Sequence, residues 1–139
     1  PLEAEVYTTI GRILEKTQIV EVPQAFSVLF GNISFVGNRP LPEKNIELLK
    51  KKFPNNWEKR FNSPAGMTGI SQVVGKFKLS SRQRLELESL YSEVYQKGNV
   101  LKADAYIFFS TIILLLFRDP VAYRSYENAK KILVSCLNK

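Results

Sequence analysis

The run from residue 105 to residue 117, AYIFFSTIILLLF, has 13 residues and only Ser110 and Thr111 as aliphatic polar breaks. It falls short of the ~18 apolar residues a membrane-spanning helix needs, yet it is too apolar to stand in water. The chain must therefore hide this segment. It does so either as a buried core helix or as an interfacial helix lying on a bilayer. With 139 residues, 45% hydrophobic and 24% charged, the chain has the make-up of one globular domain. A domain of that size buries roughly two-thirds of its unfolded surface without needing staples.

Helical periodicity dominates the rest. Val6, Ile10, Ile13 and Leu14 share one face of a first helix, and Val22, Phe26, Leu29 and Phe30 mark a short second one that Gly31 and Asn32 end. Residues 33–36 are β-prone and run into a turn at Gly37, Asn38, Arg39, Pro40, Leu41 and Pro42. Ile46, Leu49 and Phe53 mark a third helix whose exposed side carries Lys50, Lys51 and Lys52. Residues 54–79, with Pro54, Pro64, Gly66, Gly69 and Gly75, read as a long Gly/Pro-rich loop holding one small hairpin. A loop that long in a compact domain points to function. Ser80 and Gln83 then form a capping box, Leu87, Leu90, Tyr91 and Val94 form an apolar stripe, and Gly98 is the stop. The apolar helix of residues 100–117 follows. Asp119 and Pro120 signal the start of a last helix with Ala129, Ile132, Leu133 and Cys136 on one face. The expected class is α+β, mainly α, with about five to six helices and a small β element.

Composition excludes several chemistries. The chain has no His and a single cysteine, Cys136. Imidazole bases, His-paired nucleophiles, His-containing zinc sites and an internal disulfide are therefore ruled out. The net charge of +7 is concentrated, because residues 39–84 hold eleven basic and three acidic side chains. A local basic field suits a polyanionic partner: a phosphate-bearing substrate, an anionic membrane or nucleic acid. Phe53, Trp57 and Phe61 beside the lysines offer stacking surfaces, but no nucleic-acid recognition motif accompanies them, so nucleic acid is the disfavoured partner.

Four features carry possible chemistry. Arg39, held between Gly37 and Pro40, is either an ordinary turn arginine or a guanidinium positioned to grip phosphate oxygens. Glu21, just before Pro23, sits where a helix start favours a carboxylate. Pro64, Ala65, Gly66, Met67, Thr68 and Gly69, followed by Gln72, form a segment whose backbone N–H groups can approach an anion, although it matches no nucleotide-binding fingerprint. Asp104 faces a long apolar run and either caps that helix or enters a site.

Taken in order, these pieces resemble a known family. Gly11, Arg12, Ile13 and Leu14 are followed by Glu21, Val22, Pro23 and Gln24, and then by the unbroken VLFGNISFVGNRPLP of residues 28–42. The later PAGMTGISQV of residues 64–73, LESLY of residues 87–91 and Asp104 keep the same order. The chain is similar over roughly residues 10–117 to the bacterial sugar transferases, the monotopic phosphoglycosyl transferases of polyprenyl-phosphate glycan assembly. The resemblance implies transfer of a sugar-1-phosphate from a nucleotide diphosphate sugar to undecaprenyl phosphate, in surface polysaccharide or glycan biosynthesis, with Mg²⁺. It also implies a membrane-associated protein at the cytoplasmic face of the bacterial inner membrane.

The same resemblance assigns roles. Glu21 takes the Glu of an Asp-Glu dyad and with it the metal. Arg39, Gly66, Thr68, Gly69 and Gln72 take phosphate binding, and Asp104 and Glu88 are possible site acids. Val20 stands at the nucleophilic Asp, Pro64 stands where many members have arginine, and Glu88 where many have Asp. Val20 opens an alternative, a non-catalytic relative acting as a binding partner or regulator. The chain is expected to form a single domain over residues 1–139. It begins with Pro1, and the family's amino-terminal membrane segment is expected to lie outside it.

Overall fold

The computed structural model describes residue 26 and residues 28–75, 79–117 and 125–138. The first-helix expectation, and the start signal at Asp119 and Pro120, fall outside the described residues. The chain divides into two compact units, residues 1–33 and residues 34–139. In the first, Phe26, Val28 and Leu29 are helical, and the Phe30 N–H donates to the Phe26 carbonyl at 2.9 Å. Gly31, at φ 74°, ends the turn in the left-handed region that glycine occupies at little cost.

The second unit runs β1 (Ser34–Val36), α1 (Glu43–Lys52), a 3₁₀ turn (Trp57–Phe61), β2 (Gly66–Thr68), α2 (Ile70–Val74), α3 (Ser81–Gln96), α4 (Leu101–Phe117) and α5 (Tyr126–Leu137). It is α+β and mainly α, as the periodicity predicts. The segment from 54 to 79 differs from its expectation. It holds a 3₁₀ turn, a strand and a short helix, and its strand pairs with β1 in parallel, Ser34 opposite Gly66 and Val36 opposite Thr68. A hairpin is antiparallel by construction, whereas parallel neighbours need a crossover of a dozen or more residues. Residues 37–65, with α1 and the 3₁₀ turn, are that crossover.

The core assembles around α3. Its N-terminus is closed by the expected capping box: Ser80 Oγ accepts from the Gln83 N–H at 3.2 Å, and Gln83 Oε1 accepts from the Ser80 N–H at 3.0 Å. Its buried stripe of Leu87, Tyr91 and Val94 joins one apolar cluster with Ile70, Val73 and Val74 of α2, Ala103 and Ile107 of α4, and Ala129, Leu133 and Cys136 of α5. Gly98, at φ 76°, stops the chain between α3 and α4. Helix α5 is capped by Ser125, whose Oγ accepts from the Asn128 N–H at 3.2 Å.

Helix α4 buries one side in the core and leaves apolar side chains exposed on another. Ala103, Ile107 and Ser110, at helical spacing, are buried, whereas Phe109 is 62% and Leu116 72% exposed. Phe108 packs on Phe35 of β1 and on Phe109, with ring centroids 5.5 Å apart in each pair. No helix among the described residues is long and apolar enough to cross a membrane.

Candidate active site

The turn that carries Arg39 is built by backbone contact. A Cβ on Gly66 would run into the backbone of Gly37, one on Gly37 into the Pro64 carbonyl, and one on Gly69 into the Gly37 carbonyl. Only bare backbone allows that approach. Hydrogen bonds then fix it: the Gly37 N–H donates to Thr68 O at 2.9 Å and the Gly66 N–H to Asn38 O at 3.0 Å. The glycines of the Gly-rich segment thus serve this packing first, and the Gly66 N–H is already engaged.

Asn38 turns inward and is buried. Its amide Nδ2 lies 2.8 Å from the Arg60 carbonyl, 2.9 Å from the Glu88 carbonyl, and 3.1 and 3.0 Å from the hydroxyls of Ser63 and Ser92. One side chain therefore ties the turn to the 3₁₀ segment and to α3. Arg60 completes the clamp. Its Nε meets Glu88 Oε2 at 2.8 Å, and its Nη2 donates to the Arg39 carbonyl at 2.8 Å. Ser71 of α2 donates to Glu88 Oε1 at 2.8 Å. Arg60 and Glu88 are 1% and 3% exposed at the side chain, so this ion pair lies inside the protein. Burial pushes the Glu88 carboxyl up and the Arg60 guanidinium down, each opposed by the other's charge.

The sequence-derived residues divide accordingly. Arg39, Gly66, Thr68, Gly69 and Glu88 come together in this region. Thr68 Oγ1 is hydrogen-bonded to Thr111 Oγ1 of α4 at 2.7 Å. Gln72 Nε2 donates to the Met67 carbonyl at 3.3 Å, while its buried Oε1 has no partner among the described residues. Asp104 stands in the first turn of α4, not at its cap, and its Oδ1 accepts from the Tyr91 hydroxyl at 2.8 Å. Burial raises the Asp104 carboxyl, and burial with the carboxylate neighbour raises the Tyr91 phenol. Glu21 and Val20 lie outside the described residues. Among the described residues no group of three or more potential ligands gathers for a metal. Glu88 and Asp104 are committed to Arg60 and Tyr91, so the described part does not itself supply a donor set for Mg²⁺.

Asn38, Arg60, Ser63, Ser71 and Ser92 are missing from the sequence-derived set. Where the resemblance leads to an arginine at Pro64, the guanidinium that meets Glu88 comes from Arg60, four residues earlier. Arg60 sits in the aromatic and basic stretch around Trp57 and Phe61, and no local pattern distinguishes it from Lys59.

Comparison with known proteins identifies the family of the chain. The family described as bacterial sugar transferase matches residues 3–118, and the chain belongs to that family. It is 34% identical over 112 residues to a UDP-galactose-lipid carrier transferase of Erwinia amylovora, covering 81% of this chain and 22% of that protein. It is 32% identical over 112 residues to an undecaprenyl-phosphate galactose phosphotransferase of Salmonella typhimurium, covering 81% and 22%. It is 31% identical over 105 residues to an exopolysaccharide production protein of Sinorhizobium fredii, covering 76% and 43%. The chain therefore spans less than half of each of these relatives. No solved structure matches it.

Two outcomes test the site. Arg60→Met strands a buried carboxylate and lowers the unfolding free energy by about 3–5 kcal/mol, while the double variant Arg60→Met/Glu88→Leu recovers most of the loss. Urea titration of the single and double variants measures both. The raised folded-state value of Asp104 means that its stabilising contribution is complete below the ordinary aspartate range and is lost as pH rises through the raised value. Asp104→Asn removes this dependence. As pH rises from below the ordinary aspartate range through the raised value, the unchanged protein therefore loses stability relative to the variant, read by urea titration at each pH.

Proposed function

We propose that the protein takes part in transfer of a sugar-1-phosphate from a nucleotide diphosphate sugar to undecaprenyl phosphate, in surface polysaccharide or glycan synthesis. The observation that carries this reading is the clamped turn: in a member of the sugar transferase family, Arg39 is presented on backbone held by Asn38 from within and by Arg60 at its own carbonyl. A guanidinium on fixed backbone loses little freedom when it binds phosphate oxygens. Gly69 and Thr68 pack against the backbone of Gly37 in the same turn. The spare acceptor of Gln72, Oε1, suits a sugar hydroxyl better than a phosphate oxygen.

The chemistry implied by the resemblance is covalent. A carboxylate oxygen attacks the sugar-bearing phosphorus, the bond to the bridging oxygen breaks, and nucleoside monophosphate leaves. The lipid phosphate then attacks the same phosphorus and releases the carboxylate. Val20 has no nucleophilic atom, so Glu21 is the carboxylate available at that place. Its longer side chain shifts the attacking oxygen by about one C–C bond, a displacement that costs ~10²-fold when uncorrected. Bound Mg²⁺ would neutralise phosphate charge, with Glu21 as its ligand. The second reading, a non-catalytic relative that regulates or partners an active transferase, is favoured by Val20 itself. In both readings the exposed aromatic side of α4 lies against the cytoplasmic leaflet of the inner membrane.

Nucleoside monophosphate release, with a panel of nucleotide sugars, undecaprenyl phosphate and Mg²⁺, separates the two. Release that is lost in Glu21→Ala and reduced at least about tenfold in Arg39→Ala establishes a working transferase. Silence that Val20→Asp converts to release establishes a site without its nucleophile. Silence in both overturns the catalytic reading. Flotation with anionic liposomes tests the membrane face: Phe109→Glu and Leu116→Glu abolish co-flotation while leaving the thermal transition in place, because both side chains are already exposed.

A further inference from the structure

Helix α1 turns one side toward α3. Asn45, Leu48, Leu49 and Lys52 follow the i, i+3, i+4, i+7 spacing of a single helix face, and all four line a cavity of about 350 Å³. The start of α3 lines its other side with the same spacing, Ser81, Arg84, Leu85 and Glu88. Leu41 and Leu79 add apolar lining from outside the two helices. None of the α1 residues is buried, and Leu48 is 52% exposed. A short helix draws most of its stability from packing such a stripe, and among the described residues this one has no cover. Arg84 and Glu88 are engaged within the domain, Glu88 with Arg60 and the Ser71 hydroxyl at 2.8 Å each, and Arg84 with the charge of Glu88. The rim is basic without them. Lys52 is in the lining, Lys44 and Lys51 stand about a quarter turn from the cavity face of α1, and Arg82 flanks that of α3, all of them exposed. Glu43 and Glu47 fall on the far side of α1, and Lys50 turns to the Trp57 ring, 4.5 Å from its centroid.

We infer that the groove between α1 and the start of α3 docks an acidic amphipathic helix of a partner protein. The partner's apolar stripe lies against Leu48, Leu49 and Leu85, and its acidic flanks face the lysines of α1. Two helices that present matched spacings across a groove offer the seat into which the side-chain ridge of a third helix packs. A bilayer takes up apolar side chains that project, whereas Leu85 is 5% exposed and Leu41, Leu49 and Leu79 are half-buried. A second copy of this chain, itself at +7, would bring its own α1 lysines against Lys44, Lys51 and Lys52, and like charges oppose that pairing. Charge complementarity therefore selects a helix rich in Asp and Glu. The inference goes beyond the transfer reaction, since a chain that releases nucleotide and one that does not present the same groove.

The probe is a fluorescein-labelled peptide of about 18 residues, long enough to form a helix, with leucine at every third or fourth position and glutamate beside the leucines. A second peptide carries lysine in place of glutamate, and a third scrambles the acidic sequence. Anisotropy titration with the 139-residue chain is expected to show saturable one-to-one binding of the acidic peptide with a Kd on the order of 10 μM. The other two bind at least about tenfold more weakly. Leu48→Gln weakens the acidic peptide about tenfold and leaves the thermal transition in place, because that side chain is already half exposed. Lys44→Glu/Lys51→Glu weakens the acidic peptide about tenfold and strengthens the lysine peptide by a similar factor, both effects shrinking as salt is raised. No saturable binding below about 1 mM peptide, equal affinity for the scrambled or the lysine peptide, or indifference to both variants overturns the inference. So does a concentration-dependent dimer in sedimentation, or flotation with phosphatidylcholine liposomes, that Leu48→Gln abolishes: the groove then belongs to a second copy or to a bilayer. Nucleotide release is absent from these readouts, so failure here is distinct from failure of the transferase reading.

Discussion

The ion pair between Arg60 and Glu88 is the interaction on which the rest of this region depends. Two charged side chains are taken almost wholly out of water, which is tolerable only when each finds its partner, and even so Arg60 Nη1 and Asn38 Oδ1 stay buried without a hydrogen bond among the described residues. Meeting that demand recruits neighbours from separate parts of the chain. Ser71 brings α2 to the carboxylate, and the second arm of the guanidinium reaches the Arg39 carbonyl. Asn38 binds the backbone carbonyls of both members of the pair. The turn, the 3₁₀ segment, α2 and α3 are thus joined by polar bonds with a strict geometry. Apolar packing alone leaves more freedom in register.

The glycines impose the complementary constraint. Gly37, Gly66 and Gly69 allow two backbones to approach where any side chain would collide. That approach sets β1 and β2 side by side in parallel across a long connection. One arrangement serves two ends: the sheet needs the close approach, and the approach holds the Arg39 turn at the sheet's end. Helix α4 supports the same region from the other side through the Thr68–Thr111 contact. Its outward side carries Phe109 and Leu116, both largely exposed.

Much of the fold was legible because its signals are local. The capping box at Ser80 and Gln83, the stop at Gly98, the Leu87, Tyr91 and Val94 stripe and the buried face of α5 each lie within one or two helical turns. Local backbone preference and 3.6-residue periodicity decide such features. The ordered motifs from residue 28 to Asp104 also sufficed to indicate the family. Residues 54–79 resisted this treatment. Their Gly and Pro content reads as loop, but Gly66 and Gly69 are there for contact with Gly37, about 30 residues away in the chain.

The sequence by itself determined the helical stretches, the basic excess between residues 39 and 84, the exclusion of histidine chemistry and the absence of any nucleophilic atom at Val20. Tertiary structure alone decided which polar residues would be buried together. Arg60 and Lys59 are indistinguishable as neighbours in a basic stretch, and Glu88 looks like one more helix-surface acid. Their environments differ because burial of a charge is settled by partners brought from distant parts of the chain. Those partners are fixed only when β1, β2 and α3 have met. The same holds for the cavity between α1 and the start of α3: it is lined from both helices and from Leu41 and Leu79 outside them, and no spacing within one element encloses it.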